Sequence, residues 1–412
     1  MSEIRVMFLL YRMLATYLAL LRFIWYPMPV LKAVLVPNLV EYHSYSMKRY
    51  AQELTQSLLN LNVPGWEYES LTCHHVELIP KLIPGTLGTQ TADRLGRFVR
   101  YPLLAKKTKG DVFQIFDHSH AHLINYLPAD KTVITCHDII PFLAIKGKLD
   151  LPVNRITRKS FPQILKNMER ARAIVSVSAS TKLNLLEHSN IKEDRIHVIH
   201  SGINNHFTEN PPDGISKEEE RQEIRSRHSI PSHAHVLMHV GRTGHYKNTP
   251  ALIRLLKAMR ERPDLDDQVW LLRVGLPLDS EVEALIDKLG VRERIVQAGS
   301  LATDSDLAAY YRAADVFVFP SLWEGFGWPP LEAMACGTPV VTSNTSSLPE
   351  VVGPGGTMVS PTDDDQLADT VAAILGNLSQ QETMKRYGIE WSKNFTWERC
   401  AQKTLDLYKT LT

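Results

Sequence analysis

The chain has 412 residues, of which 44% are hydrophobic and 22% charged, and its formal net charge is +1. This is the composition of a globular protein with room for two domains of ordinary size. A net charge so close to zero excludes a chain-wide binding surface for nucleic acid. The four cysteines form no C-x-x-C pair, which disfavours a zinc site or a disulfide scaffold and is typical of a reducing cytoplasm.

Residues 1–31 are an apolar and basic extension before the first predicted strand. The run Met13–Leu21, bounded by Arg12 and Arg22, is too short to span a bilayer, and no signal-peptide cleavage pattern is present. The first 110 residues hold 13 Lys and Arg against 7 Asp and Glu. Three interpretations stay open: a helix on an anionic membrane, a helix packed on the protein, or a start codon assigned too early. We expect a cytoplasmic protein, with peripheral contact with the inner face of the membrane as the alternative.

Short apolar runs alternate with helical patterns after residue 31. The predicted helices span 45–60, 90–107, 155–171 and 179–188. The predicted strands are buried β-branched runs: KAVLVP (32–37), DVFQIF (111–116), TVITC (132–136) and AIVSVS (173–178). Strand–helix alternation of this kind indicates a parallel sheet with helices on both faces.

A segment rich in Pro, Gly, Asp and Asn, residues 207–216, is predicted to be a linker. Ser216 and Glu219 then fit a capping box, and Asn248 and Asp304 are predicted to cap helices 249–262 and 305–314. The last segment, 379–411, is helical and has no partner strand. The predicted strands of this half are VLMHV (236–240), VWLLRV (269–274), RIVQA (294–298), VFVFP (316–320) and PVVTS (339–343).

These patterns predict an α/β protein with two doubly wound, Rossmann-like domains that face a cleft. The predicted first domain is 32–206, and the second is 217–390 after the linker. Residues 391–412 form a C-terminal helix that could cross back to the first domain. Ligands of such sheets bind at the carboxyl ends of the strands, so the cleft is the expected site.

The segment SLWEGFGWPPLEAMACGTPVV (321–341) has the pattern strand, glycine loop, helix. Pro329 and Pro330 suit the first turn of a helix, and Gly337 suits its end. Gly325 and Gly327 let the backbone approach a ligand closely, and the free N–H groups of the helix start attract an anion.

Two carboxylates, Glu324 and Glu332, belong to this segment. Carboxylates are unexpected beside a phosphate, but they accept hydrogen bonds from the hydroxyls of a sugar or a ribose well. The alternative is that both only stabilise the helix dipole. The spacing alone does not decide between these readings.

Residues 321–341 resemble the E-x7-E signature of glycosyltransferase family 4, a GT-B-fold family of retaining enzymes. HVGRTGHYKN (239–248) resembles the diphosphate-binding loop of that family, and ITCHDIIPF (134–142) resembles its His-Asp turn. The resemblance covers roughly residues 32–400. One departure is the loop 38–50, which has no glycine where the family often has a glycine-rich loop.

The resemblance implies a role for each matching residue. Arg242 and Lys247 would bind the diphosphate, with Gly241 allowing close approach. Glu324 would hold the transferred sugar, and Glu332 the ribose. The other expected donor-binding residues are Gly325, Phe326, Gly327, Leu331, Asp138, Gly299 and Ser300, the last two near the base.

Four residues are the expected catalytic groups: Glu324, Arg242, Lys247 and His137. The resemblance places His137 across the cleft near the sugar, with Asp138 orienting it. The implied reaction moves a hexose, mannose being the favoured one, from a nucleoside diphosphate sugar to a polysaccharide, oligosaccharide or lipid-linked acceptor. The nucleotide sugar is a substrate, and no cofactor or metal is expected. The alternatives are a GT-B sugar-nucleotide epimerase and an inactive sugar-nucleotide-binding protein.

The segment DHSHAH (117–122) carries alternating histidines. His118, His120 and His122 would share one face of a strand and, with Asp117, could hold a metal ion. The segment follows a predicted strand and is expected to turn, so an acceptor-side or structural role is favoured over a metal site.

Overall fold

The computed structural model describes residues 30–39, 45–74, 85–212, 214–242, 244–265 and 268–412. Residues 1–29, most of the predicted N-terminal extension, lie outside this range. Among the described residues, no helix combines the length and the apolar character that crossing a membrane requires.

The first domain contains a sheet of six parallel strands. Their spatial order is β2-β1-β3-β4-β5-β6. They are β1 (Leu31–Val36), β2 (Trp66–Ser70), β3 (Val112–Ile115), β4 (Thr132–Cys136), β5 (Ala173–Ser176) and β6 (Ile196–Val198). The four predicted strands are confirmed. The two that were not predicted, β2 and β6, are the edge strands, and the WEYES sequence of β2 lacks the apolar run of a buried strand.

Helices cover both faces of this sheet. They are α1 (Tyr45–Asn60), α2 (Thr86–Leu95), α3 (Tyr101–Lys107), α4 (Ile140–Ile145), α5 (Arg155–Met168) and α6 (Ala179–His188). A π-helical turn, Gly96–Arg100, joins α2 to α3. A 3-10 helix, His118–Asn125, follows β3.

The second domain repeats the arrangement in the order β12-β11-β10-β7-β8-β9, again with all strands parallel. The strand order therefore reverses between β7 and β10, which is where doubly wound sheets bind their ligands. The strands are β7 (His235–Val240), β8 (Val269–Val274), β9 (Ile295–Gly299), β10 (Val316–Phe319), β11 (Val340–Ser343) and β12 (Thr357–Val359).

The capping box of Ser216 and Glu219 is confirmed at the first helix of this domain. The predicted cap at Asp304 is wrong, and Asn248 occupies the N-cap position of its helix without making a side-chain capping hydrogen bond. Thr303, not Asp304, caps its helix. The Asn248 amide donates to the carbonyls of Pro320 and Pro361, so it ties three loops together instead. The helices are α7 (Lys217–Arg227), α8 (Thr249–Arg260), α9 (Ser280–Leu289), α10 (Asp304–Ala313), α11 (Trp328–Ala335), α12 (Leu348–Val352), α13 (Asp364–Leu375), α14 (Leu378–Ser392) and α15 (Trp397–Lys409).

The C-terminal helix α15 packs against α1 of the first domain. The rings of Tyr50 and Trp397 meet edge to face at 5.7 Å, and the Tyr408 hydroxyl donates to the Gln114 side chain. A side chain at Gly202 would lie 2.2 Å from the Trp397 backbone nitrogen, so only glycine fits there. The chain thus returns to the domain in which it began.

A carboxylate of the second domain holds a helix of the first. Glu350, on α12, accepts hydrogen bonds from the backbone N–H groups of Ala179 (2.8 Å) and Ser180 (3.0 Å) at the start of α6, and from His200 at 3.0 Å. A negative charge at a helix N-terminus is favourable. Burial pushes the pKa of the Glu350 carboxyl upward, but these hydrogen bonds outweigh it and hold the pKa below its ordinary value.

Replacing Glu350 with glutamine is expected to lower the free energy of unfolding by about 1 kcal/mol at neutral pH. Because the folded-state pKa is depressed, the stabilisation is present above pH 4.5, the ordinary value, and is lost as pH falls through the folded-state pKa. The difference between wild type and Glu350→Gln should therefore shrink below pH 4.5 in denaturant titrations. Glu67→Gln, at an exposed position on edge strand β2, is the control. A pH-independent difference would contradict the assignment.

Candidate active site

The loop between β10 and α11 is held rigidly by the serines that follow β11. The Glu324 backbone N–H donates to the Ser346 hydroxyl at 2.9 Å. The Ser347 hydroxyl donates to the Phe326 carbonyl at 2.7 Å and also lies 3.0 Å from that of Glu324. Gly327, with φ of 113°, begins α11 in a conformation that favours glycine. The loop therefore presents Glu324 in a fixed direction.

Lys247 and Glu324 form an ion pair at this loop, with 2.6 Å between Lys247 Nζ and Glu324 Oε1. Both side chains are largely buried. The Lys247 ammonium also lies 5.2 Å from the centre of the Phe319 ring and 5.1 Å from that of Tyr246. The structure thus brings together a predicted phosphate ligand and a predicted sugar ligand that are 77 residues apart in sequence.

The loop after β7 is braced by β8. The buried Arg273 donates to the Gly241 carbonyl at 2.9 Å. A side chain at Gly275 would lie 2.1 Å from that same oxygen. Arg242 is exposed beside this loop and has no ion pair within the described ranges. Neither Arg273 nor Gly275 belongs to a sequence motif, because a buried arginine in a strand and an isolated glycine carry no local pattern.

His137 forms part of the first-domain wall of the cleft. Its Nε2 donates to the Phe116 carbonyl at 2.8 Å, and its ring meets the Tyr50 ring edge to face at 4.8 Å. Burial lowers the pKa of His137 below its ordinary value, so the ring is neutral at pH 7 with Nδ1 as an acceptor. Asp138 accepts instead from the Ile140 N–H at 2.9 Å. The Phe116 carbonyl, rather than Asp138 as predicted, orients the ring.

The two domains meet at Gly325. A side chain there would lie 2.3 Å from the His137 carbonyl oxygen and 3.1 Å from Asp138 Cβ. The Thr181 hydroxyl lies 3.3 Å from the His137 carbonyl oxygen and 3.4 Å from that of Gly325. Glycine at this position lets the loop that carries Glu324 reach the His-Asp turn of the opposite domain.

Glu332 is buried on α11, and both of its carboxylate oxygens have partners. Arg49 from α1 of the first domain donates to Oε1 at 2.6 Å, and the Tyr311 hydroxyl donates to Oε2 at 3.0 Å. Burial raises the pKa of Glu332 above its ordinary value, against the opposing effect of Arg49 and Tyr311. Glu332 is also buried from solvent in this arrangement, so its predicted contact with a ribose stays a prediction.

The remaining predicted donor ligands differ in their exposure. The side chains of Leu331 and Phe326 are buried in the core, where they can support α11. Gly299, with φ of 73°, accepts from the Gly275 N–H at 2.8 Å at the end of edge strand β9. Ser300 is exposed next to it. A polar cleft of about 510 Å³ opens between α1 and residues 302–305 nearby.

The DHSHAH segment forms a 3-10 helix, so its histidines do not share one strand face. Asp117 accepts from the Ser119 N–H (2.7 Å) and from the Asn38 amide (3.0 Å). His122 donates to the Arg97 carbonyl at 2.9 Å. Burial lowers the pKa of His120 to about 3 and that of His122 to about 4. Within the described part of the chain, no three His, Cys, Asp or Glu side chains are placed to hold a metal ion.

Comparison with known families now adds to this geometry. Residues 220–391 match the family model of glycosyl transferases group 1, and residues 48–207 match that of glycosyltransferase family 4. The two matches cover most of the chain and include both walls of the cleft. The chain belongs to the family 4 glycosyltransferases.

Curated relatives of this glycosyltransferase chain include mannosyltransferases. The serotype-specific mannosyltransferase WbdA of Escherichia coli is 31% identical over 301 residues, which are 71% of this chain and 36% of WbdA. The chain therefore spans about a third of the length of WbdA. The O-antigen chain mannosyltransferase B of Escherichia coli is 29% identical over 288 residues, 69% of this chain and 72% of that protein.

Solved glycosyltransferases share the architecture. Anabaena HepE, solved in complex with UDP and glucose, has a TM-score of 0.69 at 16% identity, over 92% of this chain and 100% of that one. At this identity the likeness shows the fold alone. The fold is GT-B, with two facing Rossmann-like domains.

Replacing Arg49 with alanine is expected to lower the free energy of unfolding by about 3–5 kcal/mol, because it leaves the buried Glu332 carboxylate without its charged partner. Lys159→Ala, at an exposed position on helix α5, is the control and should change stability by less than about 0.5 kcal/mol. Denaturant titration measures both. Equal stabilities of the two variants would show that the pair does not hold the domains together.

Gly325→Ala is expected to keep the fold but reduce transfer about a hundredfold, because the new methyl group would push the loop away from the His137 carbonyl. Gly376→Ala is the control, since its methyl group would lie 3.5 Å from the Ala372 carbonyl oxygen. Initial rates with a fixed donor and acceptor give the comparison. Wild-type activity in Gly325→Ala would mean that this close approach is not needed for catalysis.

Proposed function

We propose that the protein is a retaining glycosyltransferase that moves a hexose from a nucleoside diphosphate sugar to a polysaccharide, oligosaccharide or lipid-linked acceptor. The observation that carries the proposal is the Lys247–Glu324 pair at the switch point of the second sheet. One partner can take a phosphate oxygen and the other the sugar hydroxyls. His137 and Asp138 lie beside Gly325, so both domains can contact the sugar.

Departure of the diphosphate is the step that this site can accelerate most. Negative charge grows on the diphosphate as its bond to the anomeric carbon breaks. Lys247 and Arg242 can supply positive charge to it. The start of α11 contributes little, because Pro329 and Pro330 in its first turn have no N–H group. These groups can do the work of a metal ion, so the proposal includes neither a metal nor a cofactor.

Front-side attack is the proposed route to retention. The acceptor hydroxyl forms its bond to the anomeric carbon on the face from which the diphosphate leaves, and a diphosphate oxygen takes the hydroxyl proton. The ion pair between Glu324 and Lys247 favours this route. A carboxylate held by an ammonium group is better suited to accept sugar hydroxyls than to act as the nucleophile of a two-step mechanism. His137 Nδ1 is a suitable acceptor for a sugar hydroxyl.

The names of the relatives favour mannose as the transferred sugar, and we propose GDP-mannose as the donor. WbdA and mannosyltransferase B are both named mannosyltransferases. The complex of HepE with UDP and glucose makes UDP-glucose the second donor to test. The acceptor would bind the first-domain wall, and we propose a cytoplasmic enzyme in peripheral contact with the membrane.

A thermal-shift screen with GDP, UDP, ADP and their sugars tests the donor site, since a ligand that binds the folded state raises the melting temperature. The expected outcome is a shift with one nucleotide family, strongest for the GDP pair. Glu324→Gln and Lys247→Ala should each reduce transfer about 10²–10³-fold. Lys257→Ala, at a surface pair with Glu261, should leave transfer unchanged.

Incubation of the protein with donor alone separates the proposal from its rival. A transferase leaves the donor sugar intact or slowly hydrolyses it. Conversion of the donor to an epimer without any acceptor would overturn the transferase assignment. Donor binding without any turnover by cell-derived acceptors would favour an inactive binding protein.

A further inference from the structure

The helical segment between β2 and β3 exposes a row of large apolar side chains. Leu87, Phe98, Val99 and Leu103 are 67%, 55%, 50% and 57% exposed. In a protein core such residues would be covered, and single exposed ones are common. Four along one helical segment form a patch, which marks an interaction surface. We name these four side chains the α2–α3 face.

The π-helical turn keeps the four on one side. In an α-helix, residues 7 and 11 positions apart lie on the same face, which aligns Leu87 with Phe98. The turn Gly96–Arg100 inserts extra residues into the helical register, so that Val99 joins Phe98 on the outward side. Leu103 follows Val99 by one regular helical turn. An uninterrupted α-helix would rotate Leu103 away from Phe98.

The exposed charges of this segment have one sign. Residues 85–110 contain six Lys and Arg and a single acidic residue, Asp93, which is not exposed. Arg94, Arg100, Lys106 and Lys107 are exposed along the same segment. Apolar side chains flanked by cations, without exposed acidic residues, complement a surface that is apolar inside and anionic at its boundary.

The face is anchored beside the first-domain wall of the cleft. The hydroxyl of the buried Tyr101 donates to the Pro37 carbonyl at 2.5 Å and lies 3.0 Å from that of Leu71. These two residues follow the carboxyl ends of β1 and β2. The Arg97 side chain donates to the Ser119 carbonyl on the 3-10 helix. Tyr101 thus fixes the segment at the edge of the sheet where the acceptor is proposed to bind.

We propose that the α2–α3 face docks on an anionic lipid bilayer, with its apolar side chains entering the headgroup boundary and the flanking cations contacting lipid phosphates. The site would then open at the membrane surface. The inference extends the proposed function by assigning the membrane contact to residues outside the N-terminal extension. Docking itself does not depend on sugar transfer.

Flotation of the full chain with vesicles tests the proposal. The protein should float with vesicles that contain phosphatidylglycerol, float poorly with pure phosphatidylcholine, and be released by salt. Phe98→Ser/Leu103→Ser and Lys106→Gln/Lys107→Gln should each reduce the bound fraction at least about tenfold. The matched control is Ile156→Ser/Leu183→Ser, two similarly exposed apolar residues of the first domain.

Three outcomes would overturn the proposal. One is wild-type flotation of both test variants, which would assign binding to another segment such as residues 1–29. Another is the absence of wild-type flotation with either vesicle. The third is conversion of a dimer to a monomer in Phe98→Ser/Leu103→Ser, which would make the face an interface between copies. An unchanged thermal shift with the donor nucleotide shows that the variants are folded, and it separates this test from failure of the donor assignment.

Discussion

The buried ion pair between Lys247 and Glu324 is the interaction on which the rest of the site depends. It lies where the strand order of the second sheet reverses, so the loops after β7 and β10 meet and no other loop comes between them. Two residues that hold the loop of this carboxylate, Gly327 and Ser346, have positive φ angles. This conformation favours glycine and is strained for serine. Separating two charges this deeply buried costs free energy unless each gains another partner. The site therefore favours a ligand that can contact Lys247 and Glu324 together.

Three further contacts join the two domains, and each depends on a different kind of interaction. Gly325 against the His137 carbonyl is steric. Glu350 on the α6 N-terminus is a charge on a helix dipole. Arg49 on Glu332 is a buried ion pair. All three join the first domain to the loop of Glu324 or to the two helices that follow it. The C-terminal helix adds a further link between the domains because it packs on α1.

The sequence predicts the buried strands well because a parallel strand covered on both faces must be an unbroken apolar run. It does not predict β2, β6 or β12, which lie at the sheet edges and are short or half exposed. Side-chain caps are harder still. Asn248 has the right residue type and position for a cap, but its left-handed backbone conformation and the two hydrogen bonds that its Nδ2 donates to Pro320 and Pro361 accompany a side chain that makes no capping hydrogen bond.

The sequence by itself determined which residue types stand at the candidate site, because a glycine loop before a helix, two carboxylates and a basic loop are local patterns. Only the tertiary structure decided which groups share a site. Arg49 and Glu332 are 283 positions apart, and Arg273 carries no local signal of its contact with Gly241. Exposure of the α2–α3 face was equally undecided, because a helical pattern does not say which of its apolar side chains the fold will cover. Long-range packing settles such questions, and packing is a property of the whole chain.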